Sequence, residues 1–141
     1  MGMGYVGIPS ALIFADSPEF DFVWGFQRNS STSGYKIDML NNGECPIQGR
    51  EPGLQALLER VIRSKKFICT SDFSKISELD AVTIAVETPF NNRQELDPDY
   101  QSLTQCLKVI GQHMKKGLLV VIESTVTPGT TEGMARLILE D

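Results

Sequence analysis

An α/β domain built on a doubly wound parallel sheet is predicted here by three observations. Short apolar runs of strand character alternate with longer runs of helical periodicity along the whole chain. A glycine-rich turn, Gly2 to Gly7, passes directly into a helix face. The later strands are separated by helices, and such crossovers are right-handed and join parallel strands. With 141 residues there is enough chain for one buried core and too little for a second domain of ordinary size, so residues 1–141 are read as one domain.

The elements follow in order. Beyond the turn, Val6, Ala11, Leu12 and Ala15 line one helix face, with Pro9 near the first turn, where its missing N–H matters least. Phe22 to Phe26 is a short apolar strand, and Gln27 to Ser33 a polar loop without periodicity. Tyr35, Ile37, Met39 and Leu40 make a brief helix stopped by Asn42 and Gly43. Glu44 to Gly53 is rich in turn formers, and Leu54, Leu57, Leu58, Val61 and Ile62 then recur at the spacing of the clearest amphipathic helix in the chain. Phe67 to Cys69 reads as a strand, Asp72 to Ser77 as a short surface helix, and Ala81 to Val86 as a buried strand before Thr88-Pro89. Pro98 to His113 is the next helix, with Leu103, Leu107 and Ile110 facing inward. Leu118 to Ile122 is a fully apolar strand, and Gly129 to Leu139 the closing helix.

Composition narrows the function. An apolar fraction of 41% and a charged fraction of 22% are those of an ordinary globular protein. The net charge of -5 and pI near 4.9 disfavour nucleic acid and anionic lipid as partners, since both need clustered Lys and Arg. No apolar run approaches the roughly 20 residues that cross a bilayer, and no signal-peptide pattern is visible. Cys45, Cys69 and Cys106 are an odd set without C-x-x-C spacing, so neither a disulfide framework nor a metal site is expected and a cytoplasmic location fits. The single histidine, His113, falls at a helix end, where a partly positive ring meets the carbonyl end of the dipole, and no catalytic role is assigned to it.

Gly2-Met3-Gly4-Tyr5-Val6-Gly7 matches G-x-G-x-x-G, in which glycines permit a tight turn, close approach of backbone to a pyrophosphate, and close helix packing. With a helix and then a strand behind it, the motif points to a Rossmann-like dinucleotide site, and Gly2, Gly4, Tyr5, Val6 and Gly7 are its candidates. The acidic residue that holds ribose hydroxyls is due about 20 residues on. Gln27 stands there. It is able to bond a ribose hydroxyl but does not repel a 2′-phosphate, and Arg28, beside Ser30 and Ser31, is suited to accept one or else simply to solvate the loop, so NAD and NADP both remain open. Two further segments fall beyond the carboxyl ends of strands, where an open parallel sheet places its ligand: Glu87-Thr88-Pro89 and Glu123 to Thr131. Thr88, Pro89, Glu123 and Thr125 are candidates there, while Thr130 and Thr131 suit helix capping. A Rossmann unit also has a central strand before its glycine turn, and here Met1 immediately precedes the turn. That first strand is therefore expected to be missing, with unpaired backbone groups on the strands beside the gap.

Read together, Gly4-Tyr5-Val6-Gly7-Ile8-Pro9, Asn42-Gly43 with Pro46-Ile47, Glu51-Pro52-Gly53-Leu54, Thr88-Pro89-Phe90 and Glu123 to Thr131 resemble the UDP-glucose/GDP-mannose dehydrogenase family. The last segment is most similar to the branch that oxidises UDP-N-acetylhexosamines such as UDP-N-acetylmannosamine. The resemblance implies a two-step, NAD-dependent oxidation of a sugar C6 alcohol to a carboxylate. It implies that the nucleophilic cysteine, a lysine, an asparagine and an aspartate lie in central and C-terminal UDP-sugar-binding domains absent from this chain, and that the complete protein is a homodimer. Of the family's catalytic set only the threonine of Ser-Thr-Val carries over, onto Thr125, a hydroxyl suited to orienting water or an oxyanion. The family usually has an acidic residue at the position of Gln27, so NAD as cofactor rests on the resemblance. Two other readings are a stand-alone NAD-binding module without catalysis and an S-adenosylmethionine-dependent methyltransferase. The first leaves Thr125 without a role, and the second leaves both Thr88-Pro89 and the Glu123 to Thr131 segment without one.

Overall fold

The computed structural model describes residues 1–49, 51–92, 94 and 97–140. Arg50, inside the turn-rich stretch, and Asp141, at the chain's end, lie outside the described residues. The chain divides into two compact units, one of Gly2–Asp72 and one of Met1 with Phe73–Asp141.

In the first unit the order is α1 (Gly7–Asp16), β1 (Val23–Phe26), α2 (Tyr35–Asn41), α3 (Leu54–Arg63) and β2 (Phe67–Thr70). The strands β1 and β2 are parallel, from Val23 opposite Phe67 to Phe26 opposite Thr70. Helix α1 packs on α3 and β1, and α2 packs on β2. Between them lies one apolar cluster that includes Met3, Ile8, Leu12, Leu40, Leu58, Val61 and Phe67. Each fully buried Leu or Val side chain contributes about 1.5–3 kcal/mol. Val6, expected on the inward face, is instead exposed, because it is the cap residue ahead of α1. Glycine is required at Gly25, where a Cβ would fall 2.9 Å from both Met3 Sδ and Phe67 Cζ. Lys66 closes the loop after α1: its ammonium donates to the carbonyls of Ser17 and Phe20 at 3.1 and 2.8 Å. At the outer side of β2, Asn41 Nδ2 donates to Cys69 O at 2.9 Å and Asn41 Oδ1 accepts from Cys69 N at 2.8 Å.

The second unit comprises a 3-10 helix (Phe73–Glu78), β3 (Ala81–Ile84), β4 (Phe90–Asn92), β5 (Asp97–Pro98), α4 (Gln101–His113), β6 (Leu119–Ile122), a π turn (Thr131–Ala135) and α5 (Arg136–Glu140). Strands β3 and β6 are parallel, from Ala81 opposite Leu119 to Ile84 opposite Ile122. Helix α4 packs on the 3-10 helix and on α5, and Ile76, Val82, Ile84, Leu103, Leu107, Ile110 and Ala135 are buried.

Several expectations are corrected here. Pro98 lies in β5, antiparallel to β4, and α4 starts at Gln101, whose N–H is taken by Asp99 Oδ1 at 2.8 Å. The closing helix begins at Thr131, since Gly129 has φ 87°, a left-handed conformation that no helix interior accepts. Neither β3 nor β6 is buried throughout. Ala81 is exposed, as are Leu119 and Val121, which alternation sends to the face opposite Val120 and Ile122.

Among the described residues the strands form three two-stranded sheets, β1-β2, β3-β6 and β4-β5, so a mixed α/β fold with parallel strands is observed. No strand precedes α1 among them. Some of the expected unpaired groups nevertheless have partners. In the second unit the Met1 amine donates to Thr83 O at 2.5 Å and Met1 O accepts from Ala85 N at 2.9 Å. In the first unit Gly2 N donates to Phe26 O at 3.0 Å. No described helix is long and apolar enough to cross a membrane, and no metal-holding cluster occurs among the described residues.

Candidate functional site

The glycine turn is shaped for a ligand by its backbone. Gly2 has φ 93°, which only glycine adopts without strain. A Cβ placed on Gly4 would meet nothing within 4 Å, so the turn is open above that residue. Behind it α1 starts with no side-chain cap and no acidic residue in its first turn. Of its leading N–H groups, those of Ile8 and Ser10 are taken by Gly4 O and Val6 O at 3.1 and 3.2 Å, while its dipole favours negative charge at this end. Tyr5 and Val6 are exposed at this end, and Gly7 is buried. The Tyr5 hydroxyl donates to Glu51, and that bond, followed by the carboxylate's charge, raises the phenol above its ordinary pKa.

Gln27, the expected second element, reaches this turn. Its Oε1 accepts from Met3 N at 3.1 Å, and its Nε2 donates to Ser33 Oγ at 2.9 Å and weakly to Arg28 O at 3.5 Å. The Met3 carbonyl is held by Lys36, whose Nζ donates to it at 3.1 Å. Both polar atoms of one turn residue are thus fixed by side chains from the segment after β1. Arg28 is exposed at the start of that segment.

In the second unit the ends of β3 and β6 are joined by hydroxyls. Ser124 Oγ accepts from Val86 N at 2.9 Å and donates to Val86 O at 2.8 Å, extending the parallel pairing past the strands. Thr88 Oγ1 donates to Thr125 O at 2.8 Å, which brings two predicted site residues together. Glu123 and Thr125 are exposed, and Pro89 O accepts from Asp99 N at 2.6 Å. The loop continues under control of Tyr100, whose hydroxyl accepts from Thr127 N at 2.8 Å and donates to Thr127 Oγ1 at 3.1 Å. These bonds lower the Tyr100 phenol below its ordinary pKa. Thr127 Oγ1 in turn lies 3.1 Å from Thr130 Oγ1; Thr130 stands at the N-cap position of the π turn, but its side chain makes no cap bond, contrary to the capping role expected of it. Sequence reasoning did not single out Lys36, Ser33, Ser124 or Tyr100 as members of these networks. Their partners lie far along the chain, apart from Ser33, and the only local signal was the density of Ser and Thr.

Comparison with known proteins agrees with this arrangement. Residues 1–141 match the NAD binding domain of the UDP-glucose/GDP-mannose dehydrogenase family. The chain belongs to that family. It is 60% identical to an NDP-N-acetyl-D-galactosaminuronic acid dehydrogenase of Methanosarcina mazei Go1 whose crystal structure superposes with a TM-score of 0.94, covering 99% of this chain and 29% of that one. It is 36% identical to a UDP-N-acetyl-D-mannosamine dehydrogenase of Campylobacter jejuni over 100% of this chain and 32% of that protein. A UDP-N-acetyl-D-mannosamine dehydrogenase of Pyrococcus horikoshii is 35% identical over 98% of this chain and 30% of its own length. The chain therefore spans about a third of the curated relatives it matches.

Family membership implies NAD, and the residues present fit it. The acid-free, uncapped start of α1 and the open space above Gly4 suit a pyrophosphate. In this family NAD, when bound, accepts hydride.

Proposed function

We propose that this chain is the dinucleotide-binding domain of an NAD-dependent nucleotide-sugar 6-dehydrogenase with a Rossmann-like doubly wound fold. Its substrate is a nucleotide-linked N-acetylhexosamine, oxidised at C6 to a uronate. The observation that carries the cofactor role is the open, acid-free glycine turn at the head of α1. Gly2, Gly4, Tyr5, Val6 and Gly7 hold the pyrophosphate, Gln27 and Arg28 border the ribose, and Thr88, Pro89, Glu123 and Thr125 border the nicotinamide end. Thr125 acts as the one catalytic group of this chain, orienting the water that supplies the second carboxylate oxygen. What supports the sugar class is that the named proteins of M. mazei, C. jejuni and P. horikoshii all carry an N-acetylated sugar in their names, although another relative of similar identity is a GDP-mannose 6-dehydrogenase. The sugar pocket and nucleophile belong to further domains of a cytoplasmic homodimer, so the 141-residue chain alone turns over no substrate.

Two experiments test this. Binding of NADH is followed by nicotinamide fluorescence in the parent and in Gly4→Val. The added Cβ meets no protein atom within 4 Å and the side chain fills the space above the turn, so the variant is expected to keep its circular dichroism and lose affinity by about tenfold or more. Equal affinity in the two proteins would remove the glycine turn from the site. The protein as its gene encodes it is then assayed with UDP-N-acetylhexosamines, and two NADH per uronate are expected. Oxidation of non-acetylated UDP-glucose alone would refute the substrate class.

A further inference from the structure

We infer that Tyr100 is the positioning residue of Thr125, its hydroxyl fixing the loop after β6 so that the Thr125 hydroxyl is presented in one place. This rests on the catalytic role proposed above for Thr125. The Thr125 side chain is exposed and makes no hydrogen bond among the described residues, so its own contacts do not aim it. The backbone on either side does. The Thr125 carbonyl accepts from Thr88 Oγ1 at 2.8 Å. Two residues on, the Tyr100 hydroxyl accepts from Thr127 N at 2.8 Å and donates to Thr127 Oγ1 at 3.1 Å.

Tyr100 is itself anchored. It directly precedes α4, its carbonyl accepts the Thr104 N–H at 2.8 Å, and that helix is seated by Leu103, Leu107 and Ile110, all 0% exposed. The residue before it, Asp99, donates its N–H to Pro89 O at 2.6 Å, beside Thr88, and β4 pairs with β5 between these two points. The loops after β3, before α4 and after β6 therefore close a circuit of three contacts: Thr88 to Thr125, Pro89 to Asp99, and Tyr100 to Thr127. Thr127 has little regular structure of its own to hold it. Pro128 disfavours a helical backbone at the residue before it, and Gly129 turns the chain with φ 87°. The Tyr100 hydroxyl supplies the hold instead, on both the backbone and the side chain of one residue. A reacting group misplaced by about 1 Å costs on the order of a hundredfold in rate, so the grip on this loop bears on the chemistry and not on cofactor binding.

The test compares Tyr100→Phe, Thr125→Ala and the double variant with the parent, in the protein as its gene encodes it, using NAD and UDP-N-acetylmannosamine. Phenylalanine keeps the ring and removes only the hydroxyl. In Tyr100→Phe, kcat is expected to fall by about tenfold or more, while NADH affinity, read by nicotinamide fluorescence, stays within about twofold. Added to Thr125→Ala, the same substitution brings no further loss, because Tyr100 acts through that residue. Amide exchange at Thr125 rises in Tyr100→Phe while exchange within α4 is unchanged. Parental kcat or parental exchange at Thr125 in Tyr100→Phe overturns the inference, as do losses that multiply in the double variant, and each leaves the catalytic role of Thr125 standing. Parental kcat in Thr125→Ala removes that role and the inference with it. Where Tyr100→Phe fails to fold, Thr127→Val takes its place: it deletes one of the two bonds, a several-fold fall in kcat is expected, and parental kcat overturns the inference.

Discussion

Residues Gly2–Asp72 support their glycine turn on an apolar core, whereas Phe73–Asp141 hold the loops beyond their strands mainly with hydroxyl groups. In the first unit Leu12, Leu40, Leu58 and Val61 are all 0% exposed, and the turn rests on Met3 and Ile8 above them. In the second, Leu119 is 59% exposed on β6, and Ser124, Thr88, Tyr100 and Thr127 fix the chain beyond the strand ends. The difference teaches that a phosphate-binding turn and a reactive loop are built differently. The turn uses backbone groups whose positions are set by packing underneath, while the loop presents side chains whose positions are set by polar neighbours.

Substitutions sharpen or break that contrast. The largest effect is expected from Leu58→Ala, which removes a fully buried side chain of α3 and lowers stability by about 2–5 kcal/mol in urea unfolding. A loss below 1 kcal/mol would show that this unit does not depend on its core. Ser124→Ala is next: it leaves Val86 N–H and C=O without their partner at the end of β3, a loss of about 1–3 kcal/mol. Tyr100→Phe removes the bonds to Thr127 and is expected to lower the melting temperature by only a few degrees while increasing hydrogen exchange at Thr127. Unchanged exchange would mean that the loop holds itself.

The smallest effect concerns a surface pair of the first unit, Asp16 and Arg60, joined by two bonds of 2.7 Å. The Arg60 hydrogen bond holds the Asp16 carboxyl below its ordinary value of 3.8. Because the folded value is the lower one, the contribution is complete above that pH and disappears as pH falls through the folded value. Asp16→Asn should therefore be slightly less stable than the parent at pH 6 and indistinguishable from it in strong acid. A difference that persists at low pH would assign the effect to something other than charge.

How much of this was legible in the sequence depended on the distance between partners. Helix α3 and the inward residues Leu103, Leu107 and Ile110 are local patterns legible in the periodicity, and the turn at Gly2 to Gly7 is legible in its glycine spacing, although Val6 does not join the helix face. Pro98 misled because its missing N–H suits a helix start as well as a short edge strand; Asp99, which receives the Gln101 N–H, was the better signal. Leu118 to Ile122 is uniformly apolar and so implied cover on both faces, which β6 does not have among the described residues. At the candidate site, the residue types at Gln27 and Thr125 were visible, but their surroundings were not. The Gln27–Met3 and Lys36–Met3 bonds span 24 and 33 residues, and no periodicity encodes them.

The pairing of Asn41 with Cys69 has a consequence for solubility. A strand flank with open donors and acceptors is a template on which another chain can grow a strand. One carboxamide occupies the N–H and C=O of Cys69 midway along β2, while burial pushes the Cys69 thiol up to about 12 and leaves it unreactive. Strand addition and thiol cross-linking, two common routes to self-association, are thus both blocked at one residue.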